Sequence, residues 1–274
     1  MIKDKVSSTL RRHLEAITAV ALRRNSRQAV RKLCETDASG ALRFRHEPPL
    51  LWRFNQLPAQ WVSGLDWMEW NQRIGDGYLD SLPAAQRHVI AQFQLSDVAL
   101  KAVGVGSVGT RCAVSVFVGE HPDDVLVMQG KQATASVLAP YLDLAAPSHQ
   151  GKRVVQGQRL LQTASDPFLG WSTNPQGDHL YFRQFRDWKA SVDLNQLDAD
   201  GLSDYGKLCG WTLAKGHARS GDRRALAAHI DDPKQFARRL LDPVLQHAAW
   251  AEADYRLLLE GIATGRLPSM DWDQ

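Results

Sequence analysis

The spacing of apolar side chains changes character along this chain and divides it into three stretches. In the first, Leu10, Leu14, Ile17 and Ala21 recur at helical spacing, and Ser8 is placed to cap that helix. Asn25-Ser26 restarts a helix with Val30 and Leu33 on one face. Asp37-Ala-Ser-Gly40 signals a turn, and a short alternation through Leu42 and Phe44 leads into Pro48-Pro49. Tryptophans 52, 61, 67 and 70 then crowd together as either a ligand platform or a packed core or seam, the latter being the plainer reading.

After about Leu95 the period shortens to two. Val98 to Val103 reads as a strand, and Thr110 to Val118 as a second with Cys112, Val114 and Val116 on one face. Val125 to Lys131 reads as a third, and an antiparallel meander is the economical arrangement. Helical spacing returns at Val154, Gln158 and Leu161, and Leu180 to Phe185 is strand-like. In the last stretch Leu202, Tyr205, Cys209 and Thr212 mark a helix, with Gly221 beyond its end. Asp232-Pro233 starts another, Pro243 is expected to break or kink it, and a longer helix runs from Ala248 to about Gly265. The expectation is an α+β fold: a mainly helical segment 1–95, a β-rich region 96–190 and a helical region 191–274.

Composition narrows the functional classes. With 274 residues, 44% of them hydrophobic and 23% charged, the chain can bury a substantial core. No stretch approaches the ~20 apolar residues of a membrane span, and no secretory h-region is present. Cys34, Cys112 and Cys209 are too few and too scattered for a disulfide framework or a zinc knuckle, so a cytoplasmic location is expected. The net charge of +3 is uneven, because residues 1–53 hold twelve Lys or Arg against five Asp or Glu. No aromatic side chain interleaves with the basic ones before Leu42, so a single-strand nucleic-acid surface is not expected; a solvated helix face is the plain reading.

Gly104, Gly106 and Gly109 satisfy G-x-G-x-x-G, with Ser107 inside the loop. Strand-forming residues follow the motif, so the strand-to-helix geometry of a dinucleotide site does not apply. No Gly-Lys-Ser/Thr follows either, which removes a Walker loop. What remains is a glycine-rich hairpin of the kind protein kinases fold over ATP phosphates, where backbone N–H groups approach phosphate oxygens. Its usual partner is a lysine on the third strand, and Lys131 stands there. The competing reading is a tight structural hairpin and a surface lysine. The next helix, from Gln150 to Leu161, holds no acid; Gln156 or Gln158 could accept from the ammonium, more weakly than a carboxylate.

Gly104-Val-Gly-Ser-Val-Gly-Thr-Arg111, Arg153-Val-Val-Gln-Gly-Gln-Arg-Leu160, Ala164-Ser-Asp-Pro-Phe-Leu-Gly-Trp171, Arg183-Gln-Phe-Arg-Asp-Trp-Lys189 and Leu208-Cys-Gly-Trp-Thr-Leu-Ala-Lys-Gly-His-Ala-Arg-Ser-Gly-Asp222 resemble the signatures of the bacterial family named domain of unknown function 2252. The resemblance runs from about Ser26 to Gly265, and matches the family's C-terminal part. It implies a protein-kinase-like fold related to aminoglycoside phosphotransferases, with a small antiparallel sheet lobe, flanking helices, ATP and Mg²⁺. The family's catalytic loop and metal segment precede the glycine loop, as in a circular permutation, and are absent from this chain; a separate or missing N-terminal segment is the implied partner. Gly177-Asp-His-Leu180 is only an echo of that loop. Two acids of the family pattern are replaced, at Gln132 and Ala139.

Further candidates keep two readings. Arg219 could grip a phosphate and Asp222 could help place a metal, or His217, Arg219 and Gly221 could simply close their helix. Arg183, Arg186 and Lys189 are an anion site or a solvated strand edge. No metal-ligand set is expected. The function expected is the nucleotide-binding portion of an ATP-dependent phosphotransferase, inactive alone, with a non-catalytic binding or scaffold protein as the alternative.

Overall fold

Helix α1 (Ser8–Arg23) buries Leu10 and half-buries Leu14, Ile17 and Ala21, the stripe their spacing implies. Ser8 is itself helical and so does not stand outside the helix as its cap. The computed structural model describes residues 8–23, 25–58, 67–102, 104, 109–121, 123–143, 145–185 and 191–268. Helix α2 (Ser26–Leu33) starts where expected, because the Asn25 side chain accepts the Gln28 N–H. Strands β1 (Cys34–Thr36) and β2 (Leu42–Phe44) form a hairpin. Its turn is built on Asp37, whose Oδ1 accepts the N–H groups of Ser39 and Ala41, while Gly40 supplies a φ of 85°. The Ser39 hydroxyl and the Arg43 guanidinium hold the Asp37 carboxyl well below the usual carboxylate range.

One antiparallel sheet organises the rest. Strands β3 (Leu51–Arg53), β4 (Gln94–Lys101), β5 (Cys112–Val118), β6 (Val125–Gln132), β7 (Gly170–Thr173) and β8 (His179–Gln184) lie in the order β3-β4-β5-β6-β8-β7. The meander β4-β5-β6 is the expected one. β3 and β7 were not expected, being too short to show an alternation. β3 draws residues of the 1–95 segment into the sheet.

The two sheet faces bury different groups. On one, Ala99, Val114, Val116, Val127 and Phe185 pack with Leu51 and with Ala29, Cys34 and Phe44 from α2 and the hairpin. On the other, Leu126 and Met128 meet Tyr78 from α3 (Trp67–Ser81), Leu82, and Ile90 from α4 (Ala84–Ile90). The first face is fastened by a bulge between Leu95 and Asp97. The buried Asp97 carboxylate accepts the Phe44 N–H at 2.8 Å and lies 3.6 Å from Arg53 Nε. Burial pushes the nearby Cys34 thiol up to about 12. All three cysteines are free thiols.

Helix α5 (Gln150–Leu161) joins β6 to β7 and buries Val155. Helix α6 (Ala199–Ser220) follows; along its expected inward stripe Tyr205 is half-buried and Leu202, Cys209 and Thr212 are exposed. The chain divides into compact units of residues 1–216 and 217–274. In the second, α7 (Arg223–His229) precedes α8 (Pro233–Ala263), which starts on an Asp232 cap accepting from Lys234 and Gln235 N–H. The break expected at Pro243 does not occur: α8 runs unbroken through it. Proline forfeits only one ladder bond, and ten helical residues precede Pro243 while twenty follow it. The fold class is α+β. Among the described residues, no helix is long and apolar enough to cross a membrane.

Candidate functional site

Cross-strand register, not sequence proximity, assembles the candidate site. Side chains alternate along a strand, so partners in register share a face. Cys112 faces Lys131 across β5 and β6, and Lys131 faces Tyr181 on β8, which faces Trp171 on β7. Lys101 lies one step beyond the Leu100–Ala113 pair and so falls level with Cys112. The neighbouring row reads Arg53, Ala99, Val114, Gln129 and Arg183. Three half-buried cations, Lys101, Lys131 and Arg183, therefore surround the buried Cys112.

Gln129 ties the two rows together. It is buried, its Nε2 donates to Cys112 Sγ at 3.4 Å, and its Oε1 accepts from Arg183 Nε and Nη2 at 3.3 and 3.2 Å. Burial pushes the Cys112 thiol up, while Lys131, the Gln129 hydrogen bond, Arg183 and Lys101 pull it back in that order. The raised thiol stays protonated at neutral pH, so it is a poor nucleophile. The charged groups that act on it, Lys131, Arg183 and Lys101, are all positive.

The β4–β5 turn hangs at the same end. Gly104 and Gly109 are exposed, and a Cβ on either would meet nothing within 4 Å. Gly109 has φ +79°, a conformation that itself calls for glycine. Gly106 and Ser107 lie outside the described residues, as do Arg186 and Lys189. Below the turn, Arg111 Nη1 meets Asp178 Oδ2 at 2.9 Å, and Gln132 Nε2 donates to Asp178 Oδ1 at 3.0 Å. Gln132 Oε1 accepts the Arg111 N–H, and Asn174 Nδ2 donates to Asp178 Oδ2. The Gly177–Leu180 echo is thus a structural knot: Asp178 fixes the ends of β5 and β6, and with them the height of Lys131.

A cavity of about 570 Å³ opens at this end of the sheet, walled by Trp52, Phe54 and Trp70, with Lys101, Arg111 and Cys112 on its lining. Trp70 and Phe54 have ring centroids 5.0 Å apart, and the buried Trp70 indole N–H has no acceptor. Two of the four tryptophans thus wall one cavity, and Trp61 lies outside the described residues. A larger cavity of about 840 Å³ lies at the opposite ends of β4 and β5. There Arg27 pairs with Asp123 and Arg43 with Asp37.

Helix α5 starts on a pair of stacked histidines, His149 and His179, with centroids 4.0 Å apart. His149 Nδ1 accepts the Lys152 N–H and His179 Nδ1 accepts the Gln150 N–H. Burial first, and His179 second, push the His149 pKa down. Arg153 donates to the Thr134 carbonyl, pinning the segment after β6 to the helix. Gln158 is half-buried and Gln156 is exposed. His217 and Arg219 lie in the last turn of α6, which Gly221 closes by donating its N–H to the His217 carbonyl. Asp222 caps α7, accepting from Arg224 and Ala225 N–H at 2.8 and 3.2 Å.

The structure thus brings Lys131 and Arg183 onto one face and hangs Gly104 and Gly109 at its end, while His217, Arg219 and Asp222 belong to a helix junction. Sequence reading missed Lys101, Cys112 and Gln129. Their signal was the alternation itself, since 99/101, 112/114 and 129/131 become neighbours once the register is known. Among the described residues, no group of three His, Cys, Asp or Glu could hold a metal ion.

Comparison with the curated proteins and with the solved structures returns no match. A family model does match, over residues 1–261, starting well before the Ser26 at which the motif resemblance begins. It is the model described as "Uncharacterized protein conserved in bacteria (DUF2252)", and this chain belongs to that family.

Proposed function

We propose that the sheet of residues 1–216 is a nucleotide-holding lobe of kinase-like type, the binding portion of an ATP-dependent phosphotransferase. The observation that carries the reading is the placement of Lys131: on the third strand of the meander, level with Cys112 at the foot of the Gly104–Gly109 turn. Kinases place a glycine-rich turn between their first two strands and the phosphate lysine on the third, followed by a helix. β4, β5, β6 and α5 come in that order here. The Lys101, Lys131 and Arg183 cations suit a polyphosphate, since charge-assisted hydrogen bonds to anionic oxygens are the strong ones.

Magnesium fits less well. Described acids near the sheet are engaged in structure: Asp97 holds Phe44 and Arg53, Asp166 accepts the Phe168 and Gln184 N–H groups, and Asp178 holds Arg111 and Gln132. The general base and metal-binding groups of a transferase would come from another segment or polypeptide. Phosphoryl transfer rests on positioning and charge neutralisation, so a turn and a lysine alone give little rate.

Purified chain mixed with ATP should bind it saturably and hydrolyse it no faster than buffer. Rapid Mg²⁺-dependent hydrolysis, abolished in Lys131→Ala, would overturn the incomplete machinery proposed here. The acid-free helix α5 favours a second reading, a non-catalytic binding or scaffold protein that keeps the fold. Failure to bind any nucleotide would select it.

A further inference from the structure

We infer that Lys101, Lys131 and Arg183 form a composite polyanion cradle that holds a nucleotide's polyphosphate by protein cations without a divalent metal. The inference rests on the nucleotide reading above and deepens it by naming how the charge is neutralised. Three observations carry it. The register sets Lys101, Cys112 and Lys131 in one row and Arg183 one row over. Arg183 is pre-positioned by two bonds to the Gln129 amide, a neutral residue that orients the guanidinium without cancelling its charge. Lys101 also lines the cavity that Trp52 and Trp70 wall at the same end, so one residue belongs to both the cradle row and that lining.

The chemistry is a matter of matching charge. An unliganded triphosphate carries three to four negative charges near neutral pH, and kinases commonly offset them with one lysine and one or two Mg²⁺ ions. Here two more cations take the metal's share. Guanidinium offers a planar fork to phosphate oxygens, while the two ammonium groups act as point charges. Half-burial weakens salt screening relative to a fully exposed patch. The described acids nearest the sheet serve backbone and arginine partners, so a metal would have to displace them to bind. Holding Arg183 would also explain why Gln129 puts a buried amide at a position where an apolar side chain would pack more cheaply.

Calorimetric titration of the whole chain with ATP and with inorganic tripolyphosphate, at low ionic strength, tests this in EDTA and again in excess Mg²⁺. Both ligands should bind in EDTA, and Mg²⁺ should leave the affinity unchanged or lower it. Lys101→Met and Arg183→Met should each weaken binding in EDTA by about fivefold or more. Arg183→Lys, which keeps the charge, should recover much of that loss and guards against a folding defect at Gln129. Binding seen only with Mg²⁺ would overturn the cradle and leave the nucleotide reading standing. Wild-type affinity in the Lys101→Met and Arg183→Met variants would also overturn it. Binding of neither ligand in either condition would overturn both.

Discussion

Two ends of a single sheet face obey the same alternation and reach opposite outcomes. At one end Ala99, Val114, Val116 and Val127 are sealed under α2 and the β1–β2 hairpin. At the other end the same strands carry Lys101, Cys112, Gln129 and Lys131. The covered end needs apolar side chains because it has no water to solvate anything else. The other end keeps three half-buried cations around one thiol. Like charges gathered on one face suit an anionic ligand, which is why the functional reading rests there.

The contrast predicts that stability and binding separate along the face. The largest effect belongs to the covered end. Phe44→Ala removes a fully buried ring and should cost about 3–5 kcal/mol in urea unfolding, with nucleotide affinity of the folded fraction unchanged. Asp97→Asn should cost about 1–3 kcal/mol, because the Phe44 N–H loses a charged acceptor and Arg53 its nearby counter-charge. Lys131→Met should move stability by no more than about 0.5 kcal/mol yet weaken ATP binding by about tenfold or more. Large destabilisation by Lys131→Met, or lost binding in Phe44→Ala, would erase the distinction between the two ends.

The smallest effect is a pH slope from the α5 cap. His149 has its pKa pushed below 6.5 by burial and by His179, so the unfolded chain binds more protons there. Its contribution is fully present above pH 6.5 and is lost as pH falls below that value. Protonation also removes Nδ1 as acceptor for the Lys152 N–H. Melting temperature should therefore drop on mild acidification, and His149→Asn, which can still cap, should flatten the slope.

Long periodic elements were legible in the sequence. The α1 stripe, the Asn25-Ser26 restart, the Asp37–Gly40 turn, the β4-β5-β6 meander and the Asp232-Pro233 start all carry local signals that tertiary structure did not override. β3 and β7, of three and four residues, carry too little alternation to be read. Of the break or kink expected at Pro243, the break does not occur, because one missing donor is a weak breaker inside a 31-residue helix. At the site, Lys131 and the terminal glycines were visible as a motif. Lys101 and Gln129 were not, since only strand register makes them neighbours of Lys131 and Arg183. Asp222 looked chemical in sequence because a helix cap and a metal ligand use the same carboxylate.

The central claim is that the ammonium of Lys131 meets an anionic ligand at the foot of the Gly104–Gly109 turn. Calorimetric titration of ATP into the wild-type chain and into folded Lys131→Met tests it most directly. The account predicts saturable binding by the wild type and affinity weaker by about tenfold or more in the variant. Equal affinity in the two proteins, or no heat of binding with the wild type, would contradict it.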